Sequence, residues 1–274
     1  MKKGKIGIFD SGYGGLTVMR SIVDVLPGFD FVYLGDNARA PYGNRSFETV
    51  YQYTLESVNW LFDQGCELVV LACNTASAKA LRQIQQIDLP KRSDNKRVLG
   101  VIRPSTESIG RYTKTGVVGI MGTVGTVKSE TYPTEIARFF PSLRVEQEAC
   151  PMWVYLVEHN QREGVGAEYF VKLHLDRILS RNPQIDTILL ACTHYPLLEK
   201  TLNKCIPSNV RLVSQGRIVA ESLNAYLNRH PEIRNILGSG ASRSFFTTDD
   251  TLTFEAQASI FFGDSVRVKH VQIG

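Results

Sequence analysis

The stretch DTILLACTHYPLL (residues 186–198) begins as an apolar run and places Cys192 and His194 where the run ends. An apolar run of this length, bounded by polar residues, is typical of a buried strand in a parallel sheet. The chain repeats the pattern in CELVVLACNTASA (residues 66–78), where Cys73 follows the run. The repetition predicts two similar strands, each with a thiol at its carboxyl end.

Short apolar runs alternate with amphipathic helical patterns along most of the chain. KIGIFD (residues 5–10) is typical of a strand, and FETVYQYTLESVNWLFDQG (residues 47–65) of a helix that ends at Gly65. A charged stretch at residues 88–98 interrupts the alternation, which restarts at LGVI (residues 99–102). This rhythm predicts an α/β fold: two similar α/β domains with mostly parallel sheets and the active site in the cleft between them.

We predict that residues 1–98 form an N-terminal α/β domain completed by the C-terminal segment 212–274. Residues 99–211 are predicted to form the second α/β domain. In open parallel sheets, ligands bind beyond the carboxyl ends of the strands. Two sheets that face each other at these ends would therefore bring Cys73 and Cys192 to one cleft.

Composition limits the classes of function and partner that the protein can have. The 274 residues, 43% of them hydrophobic and 21% charged, are typical of a globular protein with a sizeable core. The net charge is +4, but the basic residues are scattered, which disfavours nucleic acid as a partner. No run has the length of a membrane span and no signal peptide is evident, so we expect a cytoplasmic protein with no membrane partner. Five cysteines without a C-x-x-C pair disfavour a disulfide framework and a metal site.

Each cysteine alone is typical of a small buried hydrophobic residue. Two of them in parallel A-C-[NT]-[TH] settings favour an acid–base pair instead. Because each thiol precedes a predicted helix, we expect the helix dipole to lower its pKa. His194 is a candidate proton partner of Cys192. The other cysteines (Cys66, Cys150 and Cys205) lack this setting and are predicted to be structural.

Two loops beside these strands offer further polar groups. FDSGYGG (residues 9–15) places Asp10 and Ser11 after the first strand, and its glycines permit close approach to a ligand. The loop lacks a phosphate-binding fingerprint, and a carboxylate there suits an ammonium group or proton transfer. DNARAPYGNRS (residues 36–46), with Pro41, Tyr42 and Gly43, is as consistent with a plain β-turn as with a binding loop.

GTVGTVKSETY (residues 122–132) brings the hydroxyls of Thr123 and Thr126 to a predicted helix start, a setting that suits a carboxylate. From the residues alone, Glu158 is typical of a surface carboxylate. The motifs of serine hydrolases, zinc peptidases and P-loop proteins do not occur. The inventory favours a cofactor-independent proton transfer on a small anionic molecule.

Seven motifs occur in one order: DSGYGG, DNARAPYG, ACNTAS, GVIRP, GTVGTVKSETY, CPMWVYLVE and DTILLACTHYP. In this the chain resembles the bacterial glutamate racemases of the aspartate/glutamate racemase superfamily, from the first strand to about residue 220. The departures are Ala191 for a common glycine, VSQGRIV (residues 213–219) for a turn with an acidic residue, and GVIRPST for a proline–glycine form. They bear on domain packing and oligomer contacts rather than on the cysteine pair.

The resemblance implies a cofactor-independent racemase that interconverts L- and D-glutamate and supplies D-glutamate for peptidoglycan. It implies that Cys73 acts on D-glutamate and Cys192 on L-glutamate from opposite faces of Cα. Asp10 and His194 match assisting acid–base residues, and Glu158 matches a carboxylate with a possible assisting role. The positions that match substrate-binding residues are Asp10, Ser11, Pro41, Tyr42, Gly43, Asn74, Thr75, Thr123, Thr126, Thr193 and His194.

We expect a small-molecule substrate, no cofactor, no metal and a homodimer. Two alternatives remain open at this point. One is a racemase of the same superfamily that acts on aspartate or another amino acid, since only the side-chain pocket would differ. The other is a non-catalytic binding protein on this scaffold.

Overall fold

The apolar runs form two separate parallel sheets in a computed structural model that describes residues 3–92 and 94–273. The strands are β1 (Lys5–Asp10), β2 (Phe31–Gly35), β3 (Cys66–Leu71), β4 (Arg97–Gly100), β5 (Val117–Gly122), β6 (Arg144–Ala149), β7 (Thr187–Ala191), β8 (Arg211–Ser214), β9 (Arg243–Thr247) and β10 (Val268–His270). One sheet has six strands in the order β10-β9-β2-β1-β3-β4, and the other has four in the order β6-β5-β7-β8. The α/β class with two parallel sheets is confirmed.

Helices connect the strands and cover the sheets. They are α1 (Gly15–Val25), α2 (Phe47–Asp63), α3 (Asn74–Lys79), α4 (Leu81–Gln83), α5 (Ile102–Ser108), α6 (Val124–Lys128), α7 (Thr131–Phe139), α8 (Pro151–Glu158), α9 (Val165–Arg181), α10 (Glu199–Cys205), α11 (Gln215–Arg229), α12 (Pro231–Arg234) and α13 (Thr251–Phe262). The predicted helix over residues 47–65 is α2. Ser46 caps it by accepting a hydrogen bond from the Thr49 N–H, and Gly65 with φ of +83° ends it.

The two sheets contain the same four-strand unit. The order β2-β1-β3-β4 in the first sheet matches β6-β5-β7-β8 in the second, so β1 corresponds to β5 and β3 to β7. The first sheet adds β9 and β10 from the end of the chain beyond β2. The repeated pattern in the sequence is therefore a repeated topology, and the two cysteine-bearing strands hold equivalent places in it.

The strand LGVI, which was predicted to begin the second domain, pairs in the first sheet instead. Its residues 99 and 100 belong to β4, which lies beside β3, and Ile102 already begins α5. The predicted boundary at 211/212 falls inside β8, which pairs with β7 in the second sheet. Hydrophobic periodicity marks a strand but not its neighbour, so the sequence placed both boundaries within strands. The division into two domains stays a prediction.

Helix packing joins the two units on one side of the cleft. Helix α1, which follows β1, packs against α11, which follows β8. At the amino-terminal end of α1, the Thr17 hydroxyl donates to the Thr193 carbonyl at 3.0 Å. The loop after β7 is thus tied to the first helix of the chain.

The β7 core gives a direct test of the packing. Ile188 is fully buried between Gly119 of β5 and Leu212 of β8. Truncation in Ile188→Ala should lower the free energy of unfolding by about 2–5 kcal/mol, because the lost methylenes leave a cavity. Urea unfolding followed by far-UV circular dichroism measures the change.

The matched control is Ile87→Ala, at a position where the side chain is exposed. It should change the free energy of unfolding by no more than about 0.5 kcal/mol. Equal effects of the two substitutions would contradict the burial of β7.

Candidate active site

The two thiols lie at equivalent ends of equivalent strands. In the first sheet the register pairs Phe9 with Leu71, so Ala72 lies beside the last residue of β1 and Cys73 comes next. In the second sheet Gly122, the last residue of β5, pairs with Ala191, and Cys192 comes next. Cys73 therefore lies two residues beyond the last paired residue of β3, and Cys192 lies one residue beyond the last paired residue of β7.

Both thiols line one cavity between the two units. Cys73 and Cys192 are only 6% and 7% exposed, and the cavity has a volume of about 50 Å³. The expectation that facing sheets bring the two cysteines to one cleft is confirmed. Burial of this degree strengthens electrostatic interactions at the two thiols, because buried groups are screened less by solvent than exposed ones.

Cys192 is the first of three titratable groups that contact one another in sequence. The Cys192 Sγ lies 3.9 Å from His194 Nδ1, and His194 Nε2 lies 2.9 Å from Glu158 Oε1. Burial lowers the pKa of His194, but the hydrogen bonds to Cys192 and Glu158 outweigh this effect and raise the pKa to about 10. The imidazole is therefore held as a cation between two acidic groups. Glu158 is not the plain surface carboxylate that its local sequence suggests.

Cys73 has a different setting. Its Sγ lies 3.5 Å from the Ser11 Oγ and accepts a 3.5 Å hydrogen bond from the Ala76 N–H at the start of α3. Burial and the nearby Asp10 carboxylate nevertheless raise the pKa of Cys73 to about 12. The prediction that the helix start lowers this pKa is wrong, because desolvation of the thiolate outweighs the hydrogen bonds that favour it.

Asp10 lies beneath the cavity rather than along its wall. It is almost fully buried, and its Oδ2 accepts a 3.0 Å hydrogen bond from the Gly12 N–H, while Oδ1 has no partner among the described residues. Burial raises the pKa of this carboxyl, and the positive charge of His194 opposes the rise. Asp10 therefore couples electrostatically to both halves of the site.

The glycine-rich turn after β1 makes room for the protein itself. A Cβ on Gly14 would lie 2.2 Å from the Thr193 Oγ1 and 2.5 Å from His194 Nδ1. Those distances are below any real contact, so a side chain at this position would displace the loop that carries Cys192. The glycines of this turn were predicted to let a ligand approach closely. Gly12 lines the cavity, whereas the absence of a side chain at Gly14 leaves room for the loop after β7.

Three threonine hydroxyls form a cluster across the cleft. Thr75 Oγ1 lies 2.9 Å from Thr123 Oγ1 and 3.5 Å from Thr126 Oγ1. Next to them the Gly125 N–H donates to the Gly43 carbonyl at 2.8 Å, which joins the loop after β2 to the start of α6. Thr75 and Thr123 of this cluster line the cavity.

Most of the predicted site residues meet at the cavity. Those that line it are Ser11, Pro41, Tyr42, Gly43, Cys73, Asn74, Thr75, Thr123, Glu158, Cys192, Thr193 and His194. Asp10 and Thr126 do not line it; each contacts or pairs with residues that do. The loop of residues 36–46, which the sequence left open between turn and binding loop, contributes to the wall. The Tyr42 hydroxyl donates to Asp36, which fixes the ring there.

Sequence reasoning missed part of the wall. The unpredicted lining residues are Gly12, Ala40, Asn44, Val124, Cys150, Pro151 and Val154. Cys150 follows β6 and is buried, as predicted for a structural cysteine, yet it also faces the site. Only the strand order, which places β6 beside β5, could have indicated this.

The C-terminal segment also reaches the site, although it carries none of the motifs. The Phe261 ring of α13 packs edge-on against His194, with ring centroids 5.3 Å apart, and the Gln257 side chain donates to the Glu158 carbonyl at 3.2 Å. Helix α13 thus holds both partners of the Cys192 chain. No local signal in the sequence marks either residue.

Residues 3–92 and 94–273 contain no group of three or more His, Cys, Asp or Glu side chains arranged to hold a metal ion. Over the same residues, no helix has the length and apolar character needed to cross a membrane.

Two α/β units place one thiol each at a shared cavity, an arrangement that suits an isomerase. Residues 6–223 match the Asp/Glu/Hydantoin racemase family, and the chain belongs to that family of racemases. It is 40% identical over 266 residues to the glutamate racemase of Ruegeria sp. (strain TM1040), covering 93% of this chain and 96% of that one.

Solved structures agree with this assignment. The glutamate racemase of Bacillus anthracis superposes with a TM-score of 0.89 at 35% identity, covering 99% of this chain and 98% of that one. The glutamate racemase of Francisella tularensis, solved in complex with D-glutamate, superposes with a TM-score of 0.87 at 28% identity over the same shares.

The charge on His194 makes stability depend on pH. Its pKa is raised from 6.5 to about 10, so the stabilisation it contributes is complete below pH 6.5 and is lost as the pH rises towards 10. The free energy of unfolding should therefore decrease over this range. Glu158→Gln weakens the pairing, and urea unfolding at pH 6 and pH 9 should show a smaller decrease in that variant. An equal decrease in both proteins would show that Glu158 does not hold the His194 proton.

Proposed function

We propose that this protein interconverts L- and D-glutamate by a two-base proton transfer at Cα, without a cofactor. The observation that carries the proposal is the pair of thiols at equivalent strand ends in one enclosed cavity. Racemisation needs one group to remove a proton and a second group to return one on the opposite face. Glutamate as the substrate is supported by the relatives, which are glutamate racemases.

The surroundings of the two thiols suggest how the charge is divided at rest. The cationic His194 lies beside Cys192, whereas the Asp10 carboxylate opposes negative charge on Cys73. We infer that Cys73 is a thiol in the resting enzyme and that Cys192, beside His194, is the group that accepts the Cα proton of L-glutamate. Cys192 takes this proton from one face of Cα, and the Cys73 thiol delivers its own proton to the other face. In the reverse direction Cys73 removes the proton of D-glutamate.

Burial of a cysteine also makes its thiolate a stronger base. A thiolate that is poorly solvated is a stronger base, which suits the weakly acidic Cα–H of an amino acid. The hydroxyls of Thr75 and Thr123 and the N–H groups of the flanking helix starts would bind the carboxylates of the substrate. Asp10 would stabilise the ammonium group from beneath. The remaining predicted contacts are those of Ser11, Pro41, Tyr42, Gly43, Asn74, Thr126, Thr193 and His194.

The physiological role follows from the reaction. We propose that the product D-glutamate serves peptidoglycan synthesis and cell shape, and that the enzyme acts in the cytoplasm as a homodimer. The two-domain division, with the site in the cleft, is part of the same proposal.

The pair of thiols is tested by Cys73→Ser and Cys192→Ser. Each variant should lose about 10²- to 10⁴-fold in turnover, because each removes one general acid–base group. Polarimetry of L- and D-glutamate measures the loss, and far-UV circular dichroism checks that the variant is folded. Cys205→Ser, at a half-buried position outside the cavity, is the control and should retain turnover. Full activity in either site variant would contradict the two-base mechanism.

Substrate choice is tested separately with the wild-type enzyme. Circular dichroism should show loss of the L-glutamate signal at a rate well above that of the L-aspartate signal. In D₂O, deuterium should enter mainly the product enantiomer, because the proton is returned by a different group from the one that removed it. Faster turnover of aspartate would transfer the proposal to an aspartate racemase. Binding of glutamate without turnover would support a non-catalytic binding protein on this scaffold.

A further inference from the structure

A buried ring of three side chains lies directly behind the Cys73 loop. The Asn74 Nδ2 donates to the Gln215 Oε1 at 2.7 Å, the Gln215 Nε2 donates to the Tyr132 hydroxyl at 2.8 Å, and that hydroxyl donates to the Asn74 Oδ1 at 2.6 Å. All three side chains are almost fully buried. The donors and acceptors run in one direction around the ring, so each member is satisfied by the next.

The ring joins parts of the chain that are far apart in sequence. Asn74 begins α3 in the first unit, Tyr132 belongs to α7 in the second, and Gln215 is the first residue of α11. The Gln215 Nε2 also donates a hydrogen bond to the Ser105 Oγ of α5 at 2.8 Å. Of the three ring members, only Asn74 lines the cavity.

The ring determines which atom of Asn74 is available to a ligand. Its Oδ1 is occupied by the Tyr132 hydroxyl, and one Nδ2 proton is occupied by Gln215. The second Nδ2 proton takes part in no hydrogen bond of the described residues and is therefore the group that Asn74 can offer to the cavity. An amide rotated by 180° would offer its oxygen instead, which repels a carboxylate.

A glutamine suits position 215 for a chemical reason. The side chain must accept a hydrogen bond from Asn74 and donate to Tyr132 and Ser105 at the same time. Glutamate has the same shape but only accepts when it is ionised, and leucine does neither.

We propose that Gln215 is a positioning residue, which acts through the Asn74 amide and makes it present an N–H donor to a carboxylate of the substrate. The inference rests on the proposed function, in which the substrate is a dicarboxylic amino acid. The donor would contact the carboxylate equally in the bound substrate and in the transition state. Loss of such uniform binding raises KM and leaves kcat nearly unchanged.

The test is a double-mutant cycle on the full-length enzyme. Gln215→Glu and Gln215→Leu should each raise KM for L- and D-glutamate about tenfold or more, the effect of losing a hydrogen bond to a charged group, with kcat within about twofold. In an Asn74→Ala background, the same substitutions should raise KM no further, because the group through which Gln215 acts is absent. Gln86→Glu, the same change at an exposed position, is the control and should leave KM unchanged.

Additive effects in the Asn74→Ala background would overturn the proposal, since Gln215 would then act by another route. A fall in kcat with unchanged KM in the single variants would overturn it as well. Tyr132→Phe removes a single hydroxyl from the ring and guards against a variant at position 215 that does not fold. It should raise KM in the same direction by a smaller factor.

A second measurement does not depend on turnover. In protein labelled with ¹⁵N at asparagine side chains, the Asn74 resonance is the one missing from Asn74→Ala. One of its two protons should exchange slowly with solvent in the wild type, and Gln215→Leu and Tyr132→Phe should abolish that protection. Unchanged protection would overturn the ring. If the wild type does not racemise glutamate, the proposed function fails, and this measurement still decides whether Gln215 positions Asn74.

Discussion

The meeting of two parallel sheets at their carboxyl ends is the constraint on which the rest of the structure depends. Two bases can reach opposite faces of one carbon only if they come from opposite walls, and one open sheet offers a single wall. Each unit supplies its thiol within two residues of the end of an equivalent strand, so the repeated topology brings both thiols to the cleft. The close approach of the walls then explains Gly14, which leaves room for Thr193 and His194, and the hydrogen bond from Thr17 to the Thr193 carbonyl.

Within this repeated frame the electrostatics are unequal. The residue two positions after the cysteine is Thr75 in the first unit and His194 in the second. Thr75 contributes a neutral hydroxyl to a cluster across the cleft, whereas His194 directs one ring nitrogen to Cys192 and the other to Glu158. Asp10 adds negative charge on the Cys73 side. The backbone gives the two thiols equivalent places, and a few side chains give them unequal electrostatic surroundings.

Groups outside the cavity maintain this arrangement. Phe261 and Gln257 of α13 support His194 and Glu158, and Gln215 of α11 closes the ring behind Asn74. Helix α13 lies in the last part of the chain, where the sequence motifs are absent, and α11 begins within the stretch that departs from the family pattern. These side chains pack against or hydrogen-bond to residues that line the cavity. A substitution at one of them would therefore change the geometry of the lining residue that it supports.

The sequence by itself determined the strands, the α/β class and the cysteine pair, because hydrophobic periodicity and strand-end motifs are local properties. The same local patterns could not show that β4 pairs with β3 rather than beginning the second sheet, that Cys150 lines the cavity, or that Phe261 touches His194. They also predicted a lowered pKa for Cys73, since a helix start is visible in sequence and burial is not. Strand neighbours, desolvation and contacts between distant segments arise only when the chain is packed, and the tertiary structure alone decided them.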